Sequence, residues 1–342
     1  MSSASPPGTP PVEPKPTPKI AVVGVGSFGK NHLRVIHESE HESGHESGLA
    51  ELAGLLDIEP ARAAELSAQY ECPSFSSLEK LAAASDAAVV ATPSSTHADI
   101  GCRLMELGCD VLVEKPIAES AASGQRLVDT AKRTGRILQV GHLERFNPGV
   151  IALQKVITHP LFFEIHRMSQ FSPRSLDVDV ILDLMIHDID IVLALTGQMP
   201  VEIRAAGVHI LSEKVDIANV RLQFADGCVA NLTASRVSTE RIRKLRLFQP
   251  KEYISLDYGK REGVRFTVGE NRSIGFARLT SNNEEPLKLE LEDFFGAVGR
   301  RTSPLVTGED GLKTLQVAEE ILDKIEEHSA LVAQALDVGG ES

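Results

Sequence analysis

At 342 residues and a formal net charge of −13, with no block of lysine or arginine, the chain is long enough for two cores and has the wrong sign for nucleic acid or an anionic membrane surface as main partner. Its four cysteines, Cys72, Cys102, Cys109 and Cys228, form no Cys-x-x-Cys pair, which argues against a zinc knuckle or a disulfide framework and for reduced thiols. No apolar stretch reaches spanning length and the N-terminus lacks the basic-then-apolar order of a signal peptide, so a cytoplasmic protein that does not enter a membrane is expected.

Residues 1–18 hold seven of the 18 prolines and read as a disordered leader. From Lys19 short β-type runs alternate with amphipathic helices. Strands are expected at 20–23, 50–56, 87–91, 110–113 and 137–140, with helices near 28–37, 60–69, 95–107 and 119–134. Such alternation means a parallel, doubly wound sheet over residues 19–144. The first strand turns at once through Gly24-Val25-Gly26-Ser27-Phe28-Gly29, and the second ends in Asp57. That spacing suits a dinucleotide: the first glycine allows the tight turn, the second admits the pyrophosphate, the third lets the helix start close to the strand, and the acid faces the ribose hydroxyls. Between the first helix and second strand, 37–48 repeats a His-Glu-Ser unit; a solvated loop is preferred there over a three-histidine metal chelate.

After about residue 145 the rhythm changes. A helix near 146–157, a strand at 161–170 and a long helix at 179–196 precede period-two runs at 201–210, 216–225, 228–236 and 242–248, then helices at 289–300 and 309–336. The expectation is a second domain over 145–337, with an open-faced, mostly antiparallel sheet and helices on one face, and a tail at 338–342.

The helix at 179–196 is apolar around most of its circumference, yet Asp183, His187 and Asp190 stand at i, i+4 and i+7 on one stripe. Buried polar groups are costly unless partnered or used, so the stripe is a satisfied core network, a general base with its orienting acid, or part of a metal set for which the other ligands are missing. The strand Asp110–Val113 runs into Glu114-Lys115-Pro116 at the carboxyl edge, where open parallel sheets bind ligands. Lys115 is either a solvated strand-end lysine or, beside a nicotinamide, an ammonium that stabilises a developing alkoxide.

Together, Gly24-x-Gly26-x-x-Gly29, Ala91-Thr92-Pro93 with His97, Glu114-Lys115-Pro116 and Asp183-x-x-x-His187-x-x-Asp190 resemble the Gfo/Idh/MocA oxidoreductases, in the right order from Lys19 to about residue 336. The resemblance implies a Rossmann domain plus an α+β domain, and NAD(P)-dependent hydride transfer at a sugar or cyclitol carbon. It makes Lys115 and His187 the proton-handling pair and Asp183 a substrate-binding, orienting acid. It sets Thr92, Pro93 and His97 at the nicotinamide end and Glu114 at the nicotinamide ribose, and it implies dimers or tetramers built through the open sheets. NAD is expected over NADP, because Asp57 repels a 2′-phosphate and is followed by Ile58 and Glu59.

Gly141–Pro148 and Phe171–Arg174 resemble the members of that family acting on nucleotide sugars such as UDP-N-acetylglucosamine, with Arg145, Asn147 and Arg174 as donors to a diphosphate or to hydroxyls. Arg145 serves equally well as a capping or pairing residue. The implied product is a 3-keto nucleotide sugar, for which an aminotransferase is the natural next partner. Oxidation of a free sugar or inositol, and a catalytically silent NAD-bound sensor or scaffold, remain the alternatives.

Overall fold

The computed structural model describes residues 17–40, 49–171, 178–279 and 284–339. Most of the proline-rich leader, residues 41–48 of the repeat and Arg174 therefore lie outside the described residues.

The first sheet is parallel, built from β1 (Lys19–Val23), β2 (Glu51–Leu56), β3 (Ala87–Val90), β4 (Asp110–Glu114) and β5 (Leu138–Gly141) in the order β2-β1-β3-β4-β5. β1, β3 and β4 are buried along almost their whole length, which is why they read as continuous apolar runs rather than alternating ones. The crossovers are α1 (Gly29–Glu40), α2 (Pro60–Gln69) with the short α3 (Leu78–Ala82), α4 (Ser94–Glu106) and α5 (Ala121–Thr134). Pro60 opens α2, Ser120 caps α5 by accepting the Ser123 N–H, and Gly135 closes α5 at φ +65°.

The first His-Glu-Ser unit, expected in a loop, is helical. α1 runs on to Glu40 because Val35, Ile36 and Ser39 are buried on its inner face and Arg34 pairs with Glu38 one turn later.

A 3₁₀ turn (Leu143–Phe146) and α6 (Pro148–Gln154) lead into the second sheet. Its strands are β6 (Phe162–Gln170), β7 (Glu202–Val208), β8 (Ile217–Gln223), β9 (Val229–Ser238), β10 (Ile242–Gln249), β11 (Glu252–Asp257), β12 (Glu262–Val268) and β13 (Ile274–Leu279), in the order β13-β12-β11-β10-β6-β9-β8-β7. All described pairings in it are antiparallel except β6 with β9. The expected long helix is a π-helical turn (Ile181–Met185) continuing into α7 (Ile186–Thr196). With α9 (Gly308–Gly339), α7 covers one face of this sheet, forming a core that includes Phe163, Val220, Leu245, Ile189 and Ile321. Among the described residues no helix covers the other face.

The last helices return to the parallel sheet. Leu291, Phe294 and Phe295 of α8 (Pro286–Arg300) join the core around α1 and β2, and Val306, Leu312 and Leu315 join the core around β4 and α5. Residues 286–315 thus pack against the dinucleotide-type domain that precedes them in the chain.

Candidate active site

β1 and β3 are neighbours although β2 follows β1 in the chain, so the crevice beyond their carboxyl ends is the switch point of the sheet. Gly24 leaves β1 at φ +82°, and a Cβ there would lie 2.6 Å from Thr92 Cγ2. A Cβ on Gly29 would fall 1.9 Å from the Gly24 carbonyl oxygen, so α1 starts pressed against the turn. Gly26 has nothing within 4 Å of its Cβ position, and Ser27 and Phe28 are exposed beside it. A bare backbone at a helix N-terminus fits a pyrophosphate.

Asp57 closes this turn. Its Oδ2 accepts the Val25 N–H at 2.7 Å and its Oδ1 accepts the Glu59 N–H at 2.8 Å. Arg62, on the first turn of α2, lies 3.3 Å from Oδ1. Arg62 is five residues from Asp57 in the chain, beyond Ile58 and Glu59, and the helix carries it back over the carboxylate. The adjoining cavity, about 660 Å³, is walled by Ile58, Ala63, Leu78 and Ile100 and suits a flat apolar-faced ring.

Lys115 stands at the carboxyl end of β4 and its Nζ donates to the Asp183 carbonyl at 2.8 Å. The π-helical turn holding Asp183 carries the Ile186 N–H back to the Ile181 carbonyl, a wider loop than an α-helix allows. His187 begins α7 next to it. Burial comes first, and the nearby Lys115 and Arg167 charges second, in driving its pKa well below 6.5, so the imidazole is neutral at physiological pH. Its Nδ1 is buried without a hydrogen-bond partner among the described residues. Burial also lowers the Lys115 pKa, against the opposing pull of Asp183 and Glu114. Lys115 thus reaches from the parallel sheet to the backbone of Asp183, and its charge is the first of those that act on His187, one turn further on.

Glu114 is anchored rather than free. Its Oε1 lies 2.7 Å from His32 Nε2, and a Cβ on Gly141 would touch its carboxyl at 3.0 Å. Facing this pair is Glu290 of α8, fully buried, with both carboxylate oxygens lacking partners among the described residues. Burial and then the Glu114 charge raise its pKa well above the usual range, so it is held as the neutral acid. The donor atoms of His32, Glu114 and Glu290 lie within 4.8 Å of one another, the one described group with metal-like spacing. Neither His32 nor Glu290 was singled out from sequence.

His97 is buried between the carbonyls of Thr92, 2.8 Å from Nε2, and Pro116, 3.0 Å from Nδ1. It ties the loop after β3 to the loop after β4, with Thr92 and Pro93 on the crevice side. The Lys115–Pro116 peptide is cis.

Other candidates are spent on structure. Asp190 does not join His187; it is buried and pairs with Arg145, Nη1 to Oδ1 3.4 Å, and burial raises its pKa to about 7. Arg145, offered above as a substrate donor, is 7% exposed in that pair. Asn147 is 5% exposed: it caps α6 by accepting the Gly149 N–H and donates to Glu144 and to the Tyr258 carbonyl. A residue not singled out, Arg167 on β6, holds Asp188 with two 2.8 Å bonds and Glu144 with one of 3.1 Å, and its guanidinium carbon lies 5.3 Å from the Tyr258 ring centroid. Burial works against that cation, but the two carboxylates outweigh it.

Residues 18–142 match the oxidoreductase-family NAD-binding Rossmann fold of Gfo/Idh/MocA proteins, and residues 156–251 match that family's C-terminal domain. The chain is 32% identical over 314 residues to the UDP-N-acetylglucosamine 3-dehydrogenase of Acidithiobacillus ferrooxidans, covering 90% of this chain and 97% of that protein. A solved structure of that enzyme superposes with a TM-score of 0.84 at 33% identity, covering 91% of this chain and 98% of that one. An inositol 2-dehydrogenase of Rhizobium meliloti is 26% identical over 335 residues, covering 91% and 98%. A glycine turn open to a dinucleotide, a lysine that reaches from the parallel sheet to the helix bearing a buried histidine, and matches across both domains together make this chain a member of the Gfo/Idh/MocA family of NAD(P)-dependent oxidoreductases.

Proposed function

We propose that the chain oxidises the 3-hydroxyl of a nucleotide sugar of the UDP-N-acetylglucosamine kind to a ketone. The observation that carries this reading is the reach of Lys115, at the carboxyl edge of the parallel sheet two strands from the glycine turn, to the Asp183 carbonyl one turn before His187, on which its charge acts. The cofactor, when bound, accepts the hydride. Gly24, Gly26, Ser27, Phe28 and Gly29 would cradle its pyrophosphate, Asp57 its adenosine ribose, and Thr92, Pro93 and Glu114 its nicotinamide half. His187, neutral, takes the hydroxyl proton. Lys115 donates a hydrogen bond toward the oxygen as charge develops there, and Asp183 holds Lys115 through its carbonyl and acts on it through its charge.

NAD is the preferred partner, since the Asp57 carboxylate, held against the glycine turn, would repel a 2′-phosphate. The substrate follows from the 32% identity across 90% of the chain with a 3-dehydrogenase of this type. The four buried free cysteines suit a reducing, cytoplasmic compartment. No described helix is long and apolar enough to cross a membrane. The ketone is the substrate class of an aminotransferase, the downstream partner this chemistry calls for. Association through the open sheet, as a homodimer or homotetramer, would cover its exposed apolar residues.

The test supplies purified protein with NAD, UDP-N-acetylglucosamine and a system that reoxidises NADH. A nucleotide sugar lighter by two hydrogens, with the ketone at carbon 3, is the expected product. Turnover of inositol or free sugars alone would favour the other reading, and binding of both ligands without turnover would overturn the enzyme assignment.

A further inference from the structure

The protein carries a net charge of −13, yet a cavity on the second sheet reverses the sign. Between the start of β10 and the β11–β12 turn lies a hollow of about 670 Å³, within the range of small-ligand sites. Arg241, Arg243, Lys244, Lys260 and Arg261 line it against three acids, Glu144, Glu240 and Asp257. Two of those acids are committed elsewhere: Glu144 to Arg167 and Asn147, and Asp257 Oδ1 to the Lys260 backbone N–H. Arg241 and Lys260 are exposed, and no carboxylate among the described residues pairs with either side chain.

Arg243 is the under-neutralised member. It is half-buried, with its nearest carboxylate, Glu144, 3.8 Å away. Burial, and then the like charges of Arg167 and Arg241, lower its pKa. A crowded, partly desolvated set of cations is stabilised by an incoming anion. The hollow also belongs to the catalytic region, because Arg243 is among the charges acting on His187, and Glu144 and Arg167 link it to Asp188, the next residue of α7.

We propose that this basic hollow is the subsite for the diphosphate of the substrate, with Arg243 and Arg241 as principal donors and Lys260 at the rim. The proposal rests on the reading that the substrate is a nucleotide sugar. The dinucleotide's own pyrophosphate has the glycine turn, so a second anion is required to use these cations. A neutral inositol or free sugar brings no anion for Arg241 and Lys260 to meet.

The test measures, by calorimetry on the full chain preloaded with NAD, the binding of UDP, uridine and inorganic pyrophosphate. It compares wild type with the double variant Arg241→Ala/Lys260→Ala, in which both changed side chains are solvent-facing; unchanged NAD affinity and melting temperature verify the fold. UDP is expected to bind roughly tenfold or more tightly than uridine, and the double variant to weaken UDP and raise the KM for UDP-N-acetylglucosamine by roughly tenfold. UDP binding no tighter than uridine, or equal UDP affinity in both proteins, overturns the subsite. If wild type turns over UDP-N-acetylglucosamine and the variant keeps its KM, the subsite falls and the function stands. If cation-dependent UDP binding is found without turnover, the subsite stands and the assigned oxidation falls.

Discussion

In the proposed reaction Lys115 and His187 divide the acid–base work through their environments. Burial beside two cations leaves His187 neutral, which is the form a base needs, while Asp183 and Glu114 help Lys115 keep its proton. Lys115→Ala should lower kcat by about 10²- to 10⁴-fold with NAD affinity nearly unchanged, as read by steady-state kinetics and fluorescence titration; surviving turnover would remove Lys115 from the chemistry. The pH dependence follows from the direction of the His187 shift. Its pKa is depressed, so protonation, which disables the base, begins only at lower pH than for an ordinary histidine. The acid limb of kcat/KM should therefore lie below pH 6.5, where the ordinary value stands. At the other end of the cofactor cleft, Asp57→Ser removes the carboxylate and leaves Arg62. The ratio of kcat/KM for NADP to that for NAD should rise by roughly tenfold or more.

Individual side chains were legible where their chemistry clashed with their setting. A lysine after an apolar strand and a histidine in an apolar helix stand out in one dimension. Arg145 and Asn147 look identical as donors whether they face a substrate or a carboxylate; only packing shows Asp190 receiving from Arg145, and Glu144 and the Tyr258 carbonyl receiving from Asn147. His32 and Glu114 are 82 residues apart in the chain, a distance over which sequence carries no sign of contact.

At the scale of elements, the glycine turn separates folding from binding. Gly29→Ala places a methyl on the Gly24 carbonyl, so it should destabilise the protein by about 1–3 kcal/mol in thermal melts. Gly26→Ala meets open space and should leave stability within about 0.5 kcal/mol while weakening NAD binding, since the methyl occupies the face a pyrophosphate must approach. A fall in stability for Gly26→Ala would contradict this division. The parallel strands were readable because burial on both faces makes them uniformly apolar. β13 was not, because five of its six residues are exposed and give no alternation. The helix at 179–196 showed its apolar character but not its π-helical turn, a change of winding that periodicity does not reveal.

At the scale of the whole molecule, the open sheet carries a row of neighbouring rings, Phe162, Phe248, Tyr253, Phe266 and Phe276, with Phe276 60% and Ile274 76% exposed. Light scattering on a sizing column should give a multiple of 36.9 kDa, and Phe276→Asp should shift it toward the single-chain mass. The alternation of strands and helices disclosed two architectures in advance. That 286–315 doubles back onto the first was hidden, because a helix's apolar face does not name the surface it will cover.

α9 contributes Leu312 and Leu315 to one core and, one turn on, Val317, Ala318 and Ile321 to the other. A continuous rod embedded in both halves acts as a splint. Any movement of one half against the other would have to bend this rod or strip it from one of the two cores.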